Sequence, residues 1–133
     1  MEKDMATQGV LSVVRGGKVV VKLVTGSDGY QLPDLGRRAM REGLFDIDTL
    51  YIAAVEAGVG SMGSLFVFDA DGWRTNGGDA LPDAYRETLE NALWNPRWKY
   101  GTAAYMVLVN ADAGQVSTWD FRVTVWEEDK VAK

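Results

Sequence analysis

Five tryptophans and five tyrosines stand in a chain that has no histidine and no cysteine. Their absence removes Ser-His-Asp and Cys-His catalysis, His or Cys zinc sites, His-ligated haem, thiol redox and disulfides. The chemistry left to this sequence is that of aromatic faces, guanidinium groups, carboxylates and hydroxyls. The densest aromatic stretch is Trp94-Asn95-Pro96-Arg97-Trp98-Lys99-Tyr100, with three aromatics and two cations in seven residues. Such side chains fill cores, but they also anchor protein interfaces and stack on planar ligands. Trp94, Trp98 and Tyr100 are therefore candidate interface residues. Trp126 joins them, because alternation along the last strand sets it opposite Trp119.

A second set is basic. Arg37, Arg38 and Arg41 lie on one side of a short expected helix, preceded by the loop Ser27-Asp28-Gly29-Tyr30. Guanidinium groups in such a row hold phosphates or carboxylates by bidentate contacts. With Tyr30 as a stacking face, they form a candidate site for a small anionic, nucleotide-like ligand. Lys18 and Lys22, two residues of like parity on one strand, extend this basic set.

Other patterns fail on inspection. Gly58-x-Gly60-x-x-Gly63 has dinucleotide-fingerprint spacing, but a strand rather than a helix is expected to follow it. Asp69-x-Asp71-Gly72 begins like a calcium loop, yet Trp73, Arg74 and Ala80 occupy its fifth, sixth and twelfth positions. It reads as a hairpin turn. Asp46-x-Asp48 has nothing beside it to complete a cation site. No serine has a lysine three residues on, and no Walker A motif occurs. No catalytic residue, metal ligand or cofactor is assigned, and the reading leans away from an enzyme.

Net charge is −5, from 14 basic and 19 acidic residues. An acidic chain lacks the phosphate-neutralising surface that nucleic-acid binding needs. Residues 1–41 carry seven cations and four anions, whereas residues 42–133 carry seven and fifteen. No apolar run approaches the ~20 residues of a membrane span. The N-terminus has no signal-peptide pattern. The expected location is the cytoplasm, with no membrane or nucleic-acid partner.

The elements that must position these residues follow from periodicity. The 133 residues suit a single domain over 1–133. Val10 to Arg15 and Lys18 to Thr25 flank Gly16-Gly17, a type I′ hairpin signal. Pro33 opens a helix to about Glu42, which Gly43 stops. Asp48 suits the N-cap of a segment over 49–57. There Leu50, Ala53, Ala54 and Ala57 share a helical face, while Ile52 and Val55 leave helix and strand both open. Ser64 to Asp69 reads as a buried strand and Trp73 to Thr75 as its partner. Pro82 opens an amphipathic helix to about Leu93. Thr102 to Asn110 and Gln115 to Glu127 form a last hairpin. The expected class is α+β: a single antiparallel sheet of four to six strands, with two or three helices packed on one face.

In that organisation the chain resembles a group of uncharacterised phage and mobile-element proteins. The shared pieces are the hairpin over Val10 to Thr25, the turn Asp28-Gly29-Tyr30, the helix Leu35 to Met40 with Gly36, and the late hairpin over Tyr100 to Trp126. Members of that group place Pro directly after the Tyr, whereas Gln31 and Leu32 stand here before Pro33. The resemblance implies a setting and no activity. The expected function is a non-catalytic interaction protein, an accessory or mobile-element protein that binds a protein partner or itself through acidic and aromatic surfaces. The alternative is a binding module for the anionic ligand.

Overall fold

The computed structural model describes residues 7–77, 80–83, 85, 89, 97–98, 101–102 and 104–120. Of residues 97–98 and 101–102 it describes the backbone alone. The expected helix over 82–93 and the strand beyond Asp120 lie largely outside these residues, as do Trp94, Tyr100 and Trp126.

Strands β1 (Gly9–Arg15) and β2 (Lys18–Thr25) form the expected hairpin. Gly16 and Gly17 both have positive φ, 66° and 78°. A type I′ turn needs that conformation at both central positions, and only glycine adopts it without strain. Helix α1 (Leu32–Glu42) starts with Pro33 in its first turn and ends at Gly43, which has φ 71°. Helix α2 (Ile47–Glu56) settles the open choice at 49–57 in favour of helix. Its N-cap is Asp46 rather than Asp48: Asp46 Oδ1 accepts from the Thr49 N–H at 2.9 Å. Asp48 instead lies inside the first turn, where the helix dipole favours a carboxylate.

Strands β3 (Leu65–Phe68), β4 (Trp73–Thr75), β7 (Tyr105–Asn110) and β8 (Gln115–Asp120) complete a six-stranded sheet, ordered β4-β3-β2-β1-β7-β8. Strands β5 (Arg97–Trp98) and β6 (Gly101–Thr102) pair separately. The class is α+β with six strands, as expected. The sheet is mixed rather than wholly antiparallel, because β1 and β7 run parallel from Gly9↔Tyr105 to Val14↔Asn110. The parallel pair thus joins strands 96 residues apart in the chain, Gly9 of β1 meeting Tyr105 of β7.

Both helices cover one face. Leu35 and Ala39 of α1, and Leu50, Ala53 and Ala54 of α2, are buried with Leu11, Val13, Leu23, Val67 and Val107 of the sheet. Gly36 permits the closest approach. A Cβ there would stand 2.6 Å from Val107 Cγ1, so α1 sits on β7 nearly backbone to side chain. The other face is apolar too, with Val24, Phe66, Phe68 and Leu108 covered by Leu81, Tyr85 and Leu89. Tyr85 meets Phe66 edge-on and stacks on Phe68. Among the described residues no helix is long and apolar enough to cross a membrane.

Candidate functional site

The basic row is on the outer side of α1, as its spacing predicts, but its charges are largely met. Arg37 pairs with Asp34 at 2.6 Å, one helical turn back. Arg38 holds two carboxylates, Glu42 on its own helix and Glu56 on α2, each at 3.2 Å. Glu56 and Glu42 together favour the charged guanidinium of Arg38. Among the described residues, Arg41 alone of the three is exposed without a carboxylate partner. The Arg38–Glu56 pair also joins the basic first part of the chain to the acidic remainder, so the two charge fields meet at the α1–α2 seam.

Tyr30 belongs to a 3-10 turn over Gly29–Gln31 and directs its hydroxyl to Asp28 Oδ1 at 3.4 Å. Asp28 is the hub of this corner. Its Oδ2 accepts from the Ser61 N–H at 2.9 Å, Ser61 Oγ at 2.7 Å and Ser27 Oγ at 3.1 Å. Burial pushes the Asp28 carboxyl up, but the hydrogen bonds from Ser61, Ser27 and Tyr30 together outweigh it and hold it below the usual carboxylate range. Asp28 itself has φ 60°, a left-handed conformation that Asp tolerates better than most residues. The glycine-spaced segment after α2 is thus a helix-to-strand loop tied onto the start of α1. Its Gly60 N–H donates to the Ser27 carbonyl and its Met62 N–H to Ser27 Oγ.

Lys22 departs from the expected basic strand face. A bulge in the β1–β2 register pairs Lys18 with Arg15 but Lys22 with Ser12. Arg15 and Ser12 are three residues apart on β1, so the two lysines point to opposite faces. Lys18 is exposed, whereas Lys22 is 1 % exposed. Burial lowers Lys22 to about 8. Ser12, across from it, is also buried and its Oγ has no hydrogen-bond partner. A serine activated by a lysine needs a hydrogen bond between them and access to substrate. Ser12 Oγ makes no such bond, and both side chains are buried.

The aromatic candidates divide. Trp98 lies in the β5–β6 pairing, and Trp119 is half-buried against the Phe66–Leu108 cluster. Trp94, Tyr100 and Trp126 lie outside the described residues.

The structure adds residues that the sequence reading did not choose. Four large apolar side chains are exposed among the described residues: Tyr30, Ile52, Val55 and Met62. Ile52 (57 %) and Val55 (45 %) are one turn apart on the side of α2 away from the sheet. Met62 follows in the loop that Ser27 and Asp28 hold, and Tyr30 bonds to the same Asp28. The surrounding stretch 42–77 contains Glu42, Asp46, Asp48, Glu56, Asp69 and Asp71 against one cation, Arg74. Arg74 is itself paired with Asp48 at 3.1 Å. Arg38 holds Glu42 and Glu56, so Asp46, Asp69 and Asp71 are the carboxylates of this stretch with no guanidinium partner among the described residues.

Comparison with protein families, with characterised proteins and with solved structures returns no match.

Proposed function

We propose that this is a non-catalytic interaction protein that holds a basic protein surface against the outer side of α2. One observation carries the reading: Ile52 and Val55 stand exposed on α2, whose charged residues, Asp48 and Glu56 with the N-cap Asp46, are all acidic. Exposed aliphatics supply the desolvated centre of an interface, and the acidic surround steers a basic partner toward it. The resemblance to phage and mobile-element proteins supplies the setting, that of an accessory protein.

Native mass spectrometry of complexes isolated from the source cell tests it. The expected complex contains one basic partner chain, dissociates with salt, and is lost in Ile52→Glu/Val55→Glu while persisting in Arg37→Glu/Arg41→Glu. Loss in the arginine variant alone, together with a small-molecule mass on the wild type, would favour the anionic-ligand reading at Arg41 and Tyr30. A mass at twice the chain that survives the α2 substitutions would overturn both.

A further inference from the structure

The two hairpins of the sheet do not match in length. Strand β2 has eight residues and β3 only four. Their pairing runs from Thr25↔Leu65 to Lys22↔Phe68 and stops there. The stop is built into the turn that follows. Asp69 Oδ1 accepts from the N–H groups of Asp71 and Gly72 at 2.8 Å each, and the Asp69 N–H donates to the Gly72 carbonyl. This turn pulls the chain away from β2. Lys18 and Val19 are left paired with β1 on one side, Val20 is the bulged residue between Val19 and Val21, and among the described residues none of the three has a strand on the other side.

A cavity of about 570 Å³ fills that gap. Lys18, Val19 and Val20 line one wall, Asp69 and Asp71 the other, and Leu89 closes part of it. Alternate residues of a strand direct their N–H and C=O groups to opposite sides, so the open half of β2 presents backbone donors and acceptors to this space. The wall is held in place from behind. Asp112 in the β7–β8 turn accepts from the Gly16 and Gly17 N–H groups, both at 2.9 Å. These two bonds hold the Asp112 carboxyl below the usual range. The side-chain charges at the rim are not spent on each other: neither Asp69 nor Asp71 pairs with Lys18. The cavity thus carries one cation and two anions.

We propose that this cavity binds a short extended peptide bearing a lysine or arginine, which adds as a strand to the open half of β2. Backbone hydrogen bonds to Lys18–Val20 supply the alignment. The basic side chain meets Asp69 and Asp71, and small apolar neighbours rest on Val19 and Leu89. Such strand addition needs an open edge, room beside it and pockets that choose the side chains. The site is separate from the outer side of α2 and does not depend on the function proposed there.

The probe is the blocked tripeptide acetyl-Val-Lys-Val-amide, titrated into the 15N-labelled full chain and followed by amide chemical shifts. Shifts are expected at Lys18–Val20 and at Asp69–Asp71. Two analogues divide the contributions: one N-methylated at all three residues, and acetyl-Val-Glu-Val-amide. Each is expected to bind at least tenfold more weakly than the parent, as is the parent to Asp71→Lys. Ile52→Glu is expected to leave the affinity unchanged. Shifts confined to other residues, or none at millimolar peptide, would overturn the proposal. So would equal binding of the N-methylated peptide, since strand addition requires N–H groups on the side that faces β2.

Discussion

Helices α1 and α2 do the same structural work with opposite exteriors. They have eleven and ten residues and cover the same face of the sheet. In α1 the apolar residues are confined to the buried side, and Asp34, Arg37 and Arg41 meet water. In α2 they run around the helix: Leu50, Ala53 and Ala54 face inward while Ile52 and Val55 face outward. A helix on a sheet needs one apolar stripe, and α1 shows that one suffices here. The second stripe of α2 is not required by the packing, and this surplus motivates its assignment to a partner.

The comparison can be broken at its strongest point by Gly36→Ala. The added methyl collides with Val107 and Val116 of the strands beneath, so α1 must lift from β7. A loss of about 1–3 kcal/mol in urea unfolding is expected. A loss near zero would mean that α1 is seated as loosely as a surface helix. Next comes the tie between the start of α1 and the loop that leaves α2. Asp28→Asn exchanges a carboxylate that accepts from Ser61 and Ser27 for a neutral amide, with an expected cost of about 2 kcal/mol. The sign with pH follows from the depressed native carboxyl. Its stabilisation is present above the unfolded carboxylate range and is lost as pH falls through the lower native value. Wild type should therefore lose its advantage over Asp28→Asn on acidification; thermal melts from pH 7 to pH 2 would reveal a constant gap if Asp28 were not coupled in this way.

Smaller effects sharpen the contrast. The N-terminus of α2 is capped by the Asp46 side chain, whereas α1 has no side-chain cap and carries Pro33 in its first turn. Asp46→Ala is expected to cost about 1 kcal/mol, and Gln31→Ala at the start of α1 much less. Equal losses would remove that distinction. The smallest effect belongs to the surplus stripe itself. Ile52→Glu should change folding stability by less than about 0.5 kcal/mol, as for other exposed positions. A larger loss would assign Ile52 to the fold and take it from the interface.

Much of this architecture was legible locally. Gly16-Gly17, Pro33 with Gly43, and Asp71-Gly72 mark their turns and helix ends through backbone preferences that need no tertiary context. The parallel β1–β7 pairing was not legible, because no local rule sets which hairpin edges meet. The bulge was equally hidden, and it is what separates Lys18 from Lys22. A better signal existed for Lys22: it interrupts Val19-Val20-Val21 and Leu23-Val24, and such a continuous apolar run suits a strand buried on both faces. The partners of Arg38 could not be foreseen in full, since Glu56 lies eighteen residues away on another helix. For Ile52 and Val55 the signal was present as an ambiguity. The same two residues that blurred helix against strand are the ones the helix leaves outside.

The joining of β1 to β7 has a consequence for how the chain is made. Gly9 meets Tyr105, 96 positions later. At a translation rate of 5–20 residues per second, that interval lasts about 5–20 s. Throughout it β1 is an edge of largely apolar sequence, Val10-Leu11-Ser12-Val13-Val14, awaiting a neighbour that has not been synthesised. The vulnerable period of this protein is thus its birth on the ribosome, when an emerging strand is open to pairing with a neighbouring chain.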